Sequence, residues 1–431
     1  MCDTFYIPAH MSESGFPVLA KNSDREPNEA QNIVLFPAHE TLNNKQRCTF
    51  IEVEHIRHKH GVMLSKPFQM WGAEMGVNEH GLAIGNEAVF TKIKFKKDNS
   101  GLTGMDMLRL ALESCADADK ALEKIISLLE QYGQDACGGY TDKNFYYHNS
   151  FLIADKEKAY VLETAGQHWV YQQVTQRSAI SNRLSITSAY DGISKDAVDY
   201  ATKKGWTKQN NFSFADAFAA PVMSRLTKGK ERQSLCHSKM DYPKHKLDTT
   251  DIFEILRTHH EEKFEPQHAG MNNLCLHASG LFTPSQTTGS MVAMLGQKKF
   301  PVWFTGTAAP CLSIYKPFYF DSPYLENNKL FTASNTCDAS YWWQWEKFHR
   351  RALLVYQEII QEFTLERNQV QQEILHLVEP QHPENISEKA VKISIDFLQK
   401  WTNIIEKIAP KRMPFSYSYH WKNWNRQAKI I

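Results

Sequence analysis

The chain lacks several signatures that would place it quickly. Its 431 residues carry 49 basic and 48 acidic side chains, so no excess of either sign draws it to nucleic acid or to an anionic membrane. No run approaches the roughly 20 apolar residues of a membrane span. The opening MCDTFYIPAHMSESG has no basic stretch followed by an apolar one, which argues against a secretory signal. Eight cysteines are scattered at 2, 48, 115, 137, 236, 275, 311 and 337 without a CxxC pair, so neither a disulfide framework nor a zinc pattern is expected. The reading is a cytoplasmic protein with reduced thiols, no cofactor and no metal.

What is present is a mixed α and β pattern. Short apolar runs at Asp3–Pro8, Pro17–Ala20, Asn32–Pro37, Thr49–Glu54, Gly61–Leu64 and Leu82–Phe90 read as strands. So do Phe151–Ala154, Ala159–Glu163 and Trp169–Val174, and Asp155–Lys158 is the tight turn of a hairpin. Thr103 is placed to cap a helix over Met105–Cys115. Ala118–Glu130 puts Leu122, Ile125, Ile126 and Leu129 on one helical face. Asp251–Glu261 reads as a helix, and Asp216–Leu226 as one that Pro221 breaks or kinks. Strands and helix pairs in long alternation favour layered α+β over a doubly wound parallel sheet. Past residue 320 the character turns helical: Asp338–Glu379 has neither Gly nor Pro, and Ser387 is placed to cap a further helix ending before Pro410. The division expected is a main domain over 1–320 and a helical extension over 321–431, which either packs on it or joins two copies as a homo-oligomer.

Position two carries the first chemical signal. Initiator Met is normally removed before a small residue, and no propeptide precedes Cys2, so loss of Met1 alone would leave an N-terminal cysteine. Such a residue has a thiol of pKa about 8.5 beside an α-amine of about 7.7–8.0. The amine can take the thiol proton and later return it to a leaving amine, so one residue supplies nucleophile and base. A short strand, PVLAKNSDREP, then brings Asp24 with Lys21, Asn22 and Arg25. Asp24 is a carboxylate suited to hold the ammonium of Cys2.

The blocks CDTFYIP, KNSDREPNEAQNIVLFP, CTFIEVE, WGAEMGVNEHGLAIGNEAVF, GLTGMDMLRLALE, SFLIADKEKAYVLETAG, SAISNRLSI, LCLHASGLFTPSQTTGSMVAML and VWFTGTAAPCLSIYKPF resemble the secernins and their relatives among bacterial dipeptidases. They run in order from residue 2 to about 320. The resemblance implies the four-layer αββα sandwich of the N-terminal-nucleophile hydrolases and a cysteine-type dipeptidase activity on a small peptide or amide. It maps the nucleophile to Cys2 and the amine-orienting aspartate to Asp24. Asn182 in ISNRL and Asn86 in IGNEAVF are the candidates for oxyanion stabilisation. More distant amidases place two arginines near the nucleophile; here Lys21 occupies the first position and TTGSM the second, with no arginine. Lysine cannot fork two hydrogen bonds, and Arg25 or Arg183 is the candidate to compensate. His277 and Thr287-Thr288-Gly289-Ser290 are candidates to line the pocket. The histidines of HIRHKH (His55, His58, His60) have no carboxylate or cysteine in sequence to complete a metal set. The resemblance carries a second reading, because eukaryotic secernins take their name from regulated secretion, or exocytosis. In that reading the protein is a catalytically silent binding or scaffold module.

Overall fold

Two antiparallel sheets form the centre of the protein in a computed structural model, which describes residues 1–208, 212–296, 301–378 and 385–430. Strand β1 (Cys2–Ile7) pairs with β2 (Val18–Arg25), and the six-stranded sheet runs Ser178–Ile180, β1, β2, Gln286–Met294, Val302–Phe304, Lys316–Phe318. The eight-stranded sheet runs from Gly192–Ile193 through His168–Gln173, Ala159–Ala165, His148–Ala154, Ala83–Val89, Met75–Asn78 and Val62–Pro67 to Gln31–Phe36. The expected hairpin is there: Asp155 N donates to Lys158 O at 2.9 Å between the third and fourth of these strands.

Among the described residues the helices are α1 (Gly104–Ser114), α2 (Ala118–Tyr132), α3 (Ala197–Lys203), α4 (Phe214–Phe218), α5 (Pro221–Leu226), α6 (Gly229–Asp241), α7 (Thr249–Leu256), α8 (Tyr341–Ala352), α9 (Tyr356–Leu377), α10 (Ile386–Glu406) and α11 (Phe415–Gln427). Helices α1 and α2 cover one sheet, burying Leu108, Leu112, Leu122, Ile125 and Leu129 against Ile84, Phe151 and Leu162. Helices α6, α7 and α10 pack against strands of the other sheet. The result is the αββα sandwich that the resemblance implied. Helices α8 to α10 share one apolar core with the sheets, through Trp345, Phe363, Phe397 and Trp401. No helix among the described residues is long and apolar enough to cross a membrane.

Local chemistry explains most element boundaries. Thr103 caps α1 in a full capping box with Asp106, a motif that satisfies two orphan N–H groups at once. Pro221 divides the expected Asp216–Leu226 helix into α4 and α5, sitting in the first turn of α5, where its missing N–H costs nothing. Other expectations need correction. The Asp251–Glu261 helix stops at Leu256, and the histidines after it belong to an irregular segment. The single helix expected from Asp338 is two, parted at Leu353–Val355; Glu379, its expected end, lies outside the described residues. Asn385, in the left-handed region at φ 72°, precedes α10, and Ser387 lies inside the first turn. Of the Thr49–Glu54 run only Glu52–Glu54 is strand.

Candidate active site

The site is built on the β1–β2 pair. Period-two alternation sends Cys2 and Thr4 to one face of β1 and Asp3 to the other. Opposite Cys2 in register is Ser23, and opposite Thr4 is Lys21. The inner face, between the sheets, is therefore polar at this end: Lys21, Ser23 and Arg25 of β2 meet Glu87 of the second sheet and Glu74, just before its Met75–Asn78 strand. Lys21 Nζ donates to Glu87 Oε1 at 2.9 Å with both side chains fully buried. Arg25 pairs with Glu74 at 3.1 Å and with Glu29, and also donates to Gly138 O at 2.6 Å. Strand β2 thus runs on to Arg25, every residue of it buried, well past the apolar Pro17–Ala20 segment that identified it. Fixed partners across the interlayer compensate the cost of burying those charges.

Cys2 is 3% exposed. Its thiol lies 3.5 Å from Glu74 Oε2 and 4.0 Å from Ser23 Oγ. Burial pushes the thiol up to about 11, with Lys21 and the terminal ammonium pulling it back and Glu74 and Asp24 adding to the rise. Its main-chain N donates to Asn182 Oδ1 at 2.9 Å, and Asn182 Nδ2 donates to Ala88 O at 2.7 Å. Met1 extends the ladder by one rung: its N donates to Asp24 O at 2.7 Å, and Asp24 N donates to Met1 O at 2.7 Å.

Asp24 lies on the helical side of the sheet. Its Oδ1 accepts from Thr287 Oγ1 at 2.6 Å, while its Oδ2 is buried with no hydrogen-bond partner. Burial lifts the carboxyl to about 6, against the pull of the terminal ammonium and Arg232.

The other sequence candidates divide. Asn182 is at the site, with its Oδ1 rather than its amide N–H₂ turned to Cys2. Asn86 is not: on its strand Gly85 and Glu87 face β1 and β2, so alternation sends Asn86 toward α1. There its Nδ2 donates to Asn149 Oδ1 at 2.8 Å. Lys21 and Arg25 lie around the thiol on the inner face. Arg183 is half-buried and donates from Nε to Leu184 O at 3.2 Å. His277 is fully buried among Cys275, Cys311 and His349. His55 binds Glu113 at 2.8 Å, and His60 contacts His80 at 3.0 Å with Glu79 nearby, so carboxylates distant in sequence do approach the HIRHKH run.

Two residues escaped the sequence reading. Glu74 reaches the thiol from the bend just before the Met75–Asn78 strand. Arg232, on α6, is fully buried; its Nε donates to Asp3 Oδ2 at 2.9 Å, and its Nη2 to Ser181 Oγ at 3.0 Å and to Asn182 Oδ1. A late arginine is therefore present near Cys2, against the expectation from TTGSM. Helix α6 has no apolar stripe to announce it, and Arg232 in GKERQSL reads as a surface charge.

Solved structures similar to the chain include a variant of conjugated bile acid hydrolase from Clostridium perfringens, at 11% identity, 77% of this chain, 95% of that one and TM-score 0.44. Penicillin V acylase from Agrobacterium tumefaciens matches at 12% identity, 74% and 86% coverage and TM-score 0.41. The Caenorhabditis elegans N-acylethanolamine-hydrolyzing acid amidase ortholog matches at 11% identity, 68% and 92% coverage and TM-score 0.35. The family model described as acyl-coenzyme A:6-aminopenicillanic acid acyl-transferase matches residues 11–266, more than half of the chain. With its αββα layers the fold is that of the N-terminal-nucleophile hydrolases, and the chain belongs to the acyl-coenzyme A:6-aminopenicillanic acid acyl-transferase family.

Proposed function

We propose that this protein is a cysteine-type amide hydrolase, and within that class a dipeptidase, whose nucleophile is Cys2 after removal of Met1. The observation that carries the reading is a buried, unpartnered carboxylate oxygen on Asp24, the residue paired across the ladder with Met1 and one position on from the partner of Cys2. Cys2 N already donates to Asn182 Oδ1, and the carboxyl of Asp24, paired through its backbone with Met1, keeps one buried oxygen without a partner. Loss of Met1 turns that amide nitrogen into an amine with further N–H bonds to give, and Asp24 Oδ2 is the acceptor that lacks one.

In the reaction the α-amine takes the thiol proton and Sγ adds to the scissile carbonyl carbon. The tetrahedral oxyanion collapses, the C–N bond breaks, and the ammonium returns the proton to the leaving amine. Water then attacks the thioester with the same amine as base, releasing the acid and restoring the thiol. Asn182 Nδ2 spends one of its two N–H bonds on Ala88 O, and the other is assigned to the oxyanion. The dipeptidase assignment rests on the secernin-like blocks.

A second reading, a silent secernin-like scaffold, holds if Met1 is kept in the mature protein, because the nitrogen of Cys2 is then a non-basic amide. One measurement separates the two readings. Intact mass and N-terminal peptide analysis, before and after a thiol-directed probe, should show Met1 gone and Cys2 labelled, and the processed protein should cleave dipeptides. Met1 retained, with Cys2 inert to the probe, sinks the hydrolase in favour of the scaffold.

A further inference from the structure

Between α7 and the Gln286–Met294 strand residues 257–285 have little regular structure, broken by one short turn at Pro266–His268. Three side chains of this segment, with Cys311 from the turn after the Val302–Phe304 strand, are not used by the function above. His259, Cys275, His277 and Cys311 each offer one ligand atom, and all four atoms lie within 4.8 Å of one another. His277 Nε2 is 3.6 Å from Cys275 Sγ and 3.2 Å from Cys311 Sγ. A tetrahedral ion at about 2.3 Å from sulfur and about 2.0 Å from nitrogen holds such pairs about 3.5 Å apart.

The surroundings fix which nitrogen of His277 faces the sulfurs as a lone pair. Glu346 is ion-paired to Arg350 at 2.8 Å, so it acts as an acceptor. His349 Nδ1, 3.1 Å from Glu346 Oε2, is then the donor. His349 Nε2 accepts in turn from His277 Nδ1 at 3.5 Å, and His277 Nε2 is left unprotonated toward Cys275 and Cys311. A carboxylate that orients a histidine through its far ring nitrogen is a recurrent support of metal ligands. His259 is held flat on Phe264, with ring centroids 3.6 Å apart and planes 9° from parallel, and its Nε2 is buried without a hydrogen-bond partner. No carboxylate belongs to the set. Cys275 and His277 are fully buried and Cys311 is 4% exposed, with His259 half-buried at the edge of the set.

We infer that His259, Cys275, His277 and Cys311 form a structural zinc site. Two thiolates and two neutral imidazoles in a closed tetrahedral set are the ligands Zn²⁺ takes in structural sites. Binding replaces two thiol protons, which leave to solvent. The ion ties the irregular segment to Cys311 and, through His349, to α8. It also backs the catalytic face. Leu276, between two ligands, exchanges backbone and hydroxyl hydrogen bonds with Thr287 at 2.8 and 2.9 Å, and Thr287 holds Asp24 at 2.6 Å. The linear spacing, one histidine sixteen residues before a C-x-H and a cysteine thirty-four after it, hides the set from any pattern search.

The test is elemental analysis of the full chain, expressed in zinc-supplemented medium and purified without chelator. About one zinc per chain is expected. Cobalt-loaded protein should show a thiolate charge-transfer band and the intense visible bands of tetrahedral Co²⁺. Cys311→Ser should drop zinc below about one fifth of the wild-type content, whereas Cys337→Ser, outside the cluster, should keep it. If Cys311→Ser does not fold, the wild-type protein decides alone, because zinc release on titration with a mercurial thiol reagent should track modification of two otherwise protected thiols. Wild-type protein without zinc and without the cobalt spectrum, or a Cys275–Cys311 disulfide in the non-reducing peptide map, overturns the assignment.

Discussion

Two buried thiol environments in this molecule differ in what surrounds the sulfur. Cys2 sits among Lys21, Glu74 and Ser23, and its own nitrogen, once Met1 is gone, is an amine that takes and returns the thiol proton. Cys275 and Cys311 face imidazoles whose orientation is fixed from behind by His349 and Glu346. Burial is nearly equal at the two places, so burial alone does not tell a reactive sulfur from a ligating one. The distinction is made by the partner: a mobile proton acceptor suits turnover, whereas a fixed lone pair suits an ion.

The largest test of that contrast is Cys2→Ala. Hydrolysis of amide substrates by the Met1-processed enzyme should fall by about 10⁴-fold or more, the order seen when a nucleophile is removed. The melting temperature and zinc content should hold. Residual turnover within tenfold of wild type would move the chemistry elsewhere. Arg232→Met comes next, as a loss of stability. It leaves Asp3 buried and unpaired, which costs about 3–5 kcal/mol and is read by urea denaturation; a variant as stable as wild type would mean that Asp3 is neutral or rehydrated. Asn182→Ala removes both the acceptor for Cys2 N and the proposed oxyanion donor. The expected drop in kcat is about 10²–10³-fold, with a smaller change in KM. Asn86→Ala is the matched control, since its amide faces α1, and its kcat should stay within a few-fold of wild type.

The Asn182 and Asn86 pair also shows how much was legible in the sequence. Asn86 is the middle residue of the Ala83–Val89 strand and Asn182 follows the Ser178–Ile180 strand; the pleat turns Asn86 away from the site, and only the packed sheets show which face that is. The capping of α1 by Thr103, the break at Pro221 and the apolar strands were readable because each depends on neighbours within a few residues. The burial of Lys21–Arg25 was not, because a charged strand end looks like a polar surface turn until Glu87 and Glu74 arrive from another layer. Arg232, Glu74 and the zinc set failed for the same reason. Their partners lie tens to hundreds of residues away, and no local period marks them.

The smallest expected effect concerns Asp24, and its sign is the informative part. In the chain that keeps Met1, burial lifts this carboxyl from 3.8 to about 6, above its value in the unfolded chain. Below about pH 4 both states are protonated, and the contribution to stability is fully present. As pH rises from about 4 to about 6 the unfolded chain releases the proton while the folded chain keeps it, so stability is lost, by at most about 3 kcal/mol. Most buried carboxylates in ion pairs behave the other way, which makes the slope diagnostic. Wild type and Asp24→Asn, both with Met1 retained, should be compared by urea denaturation at pH 4, 5, 6 and 7. The wild type should lose stability relative to the variant across that window. A relative gain with rising pH would mean that Asp24 is ionised and satisfied in the folded chain, its Oδ2 already partnered, and the acceptor assigned to the amine of Cys2 would no longer be available.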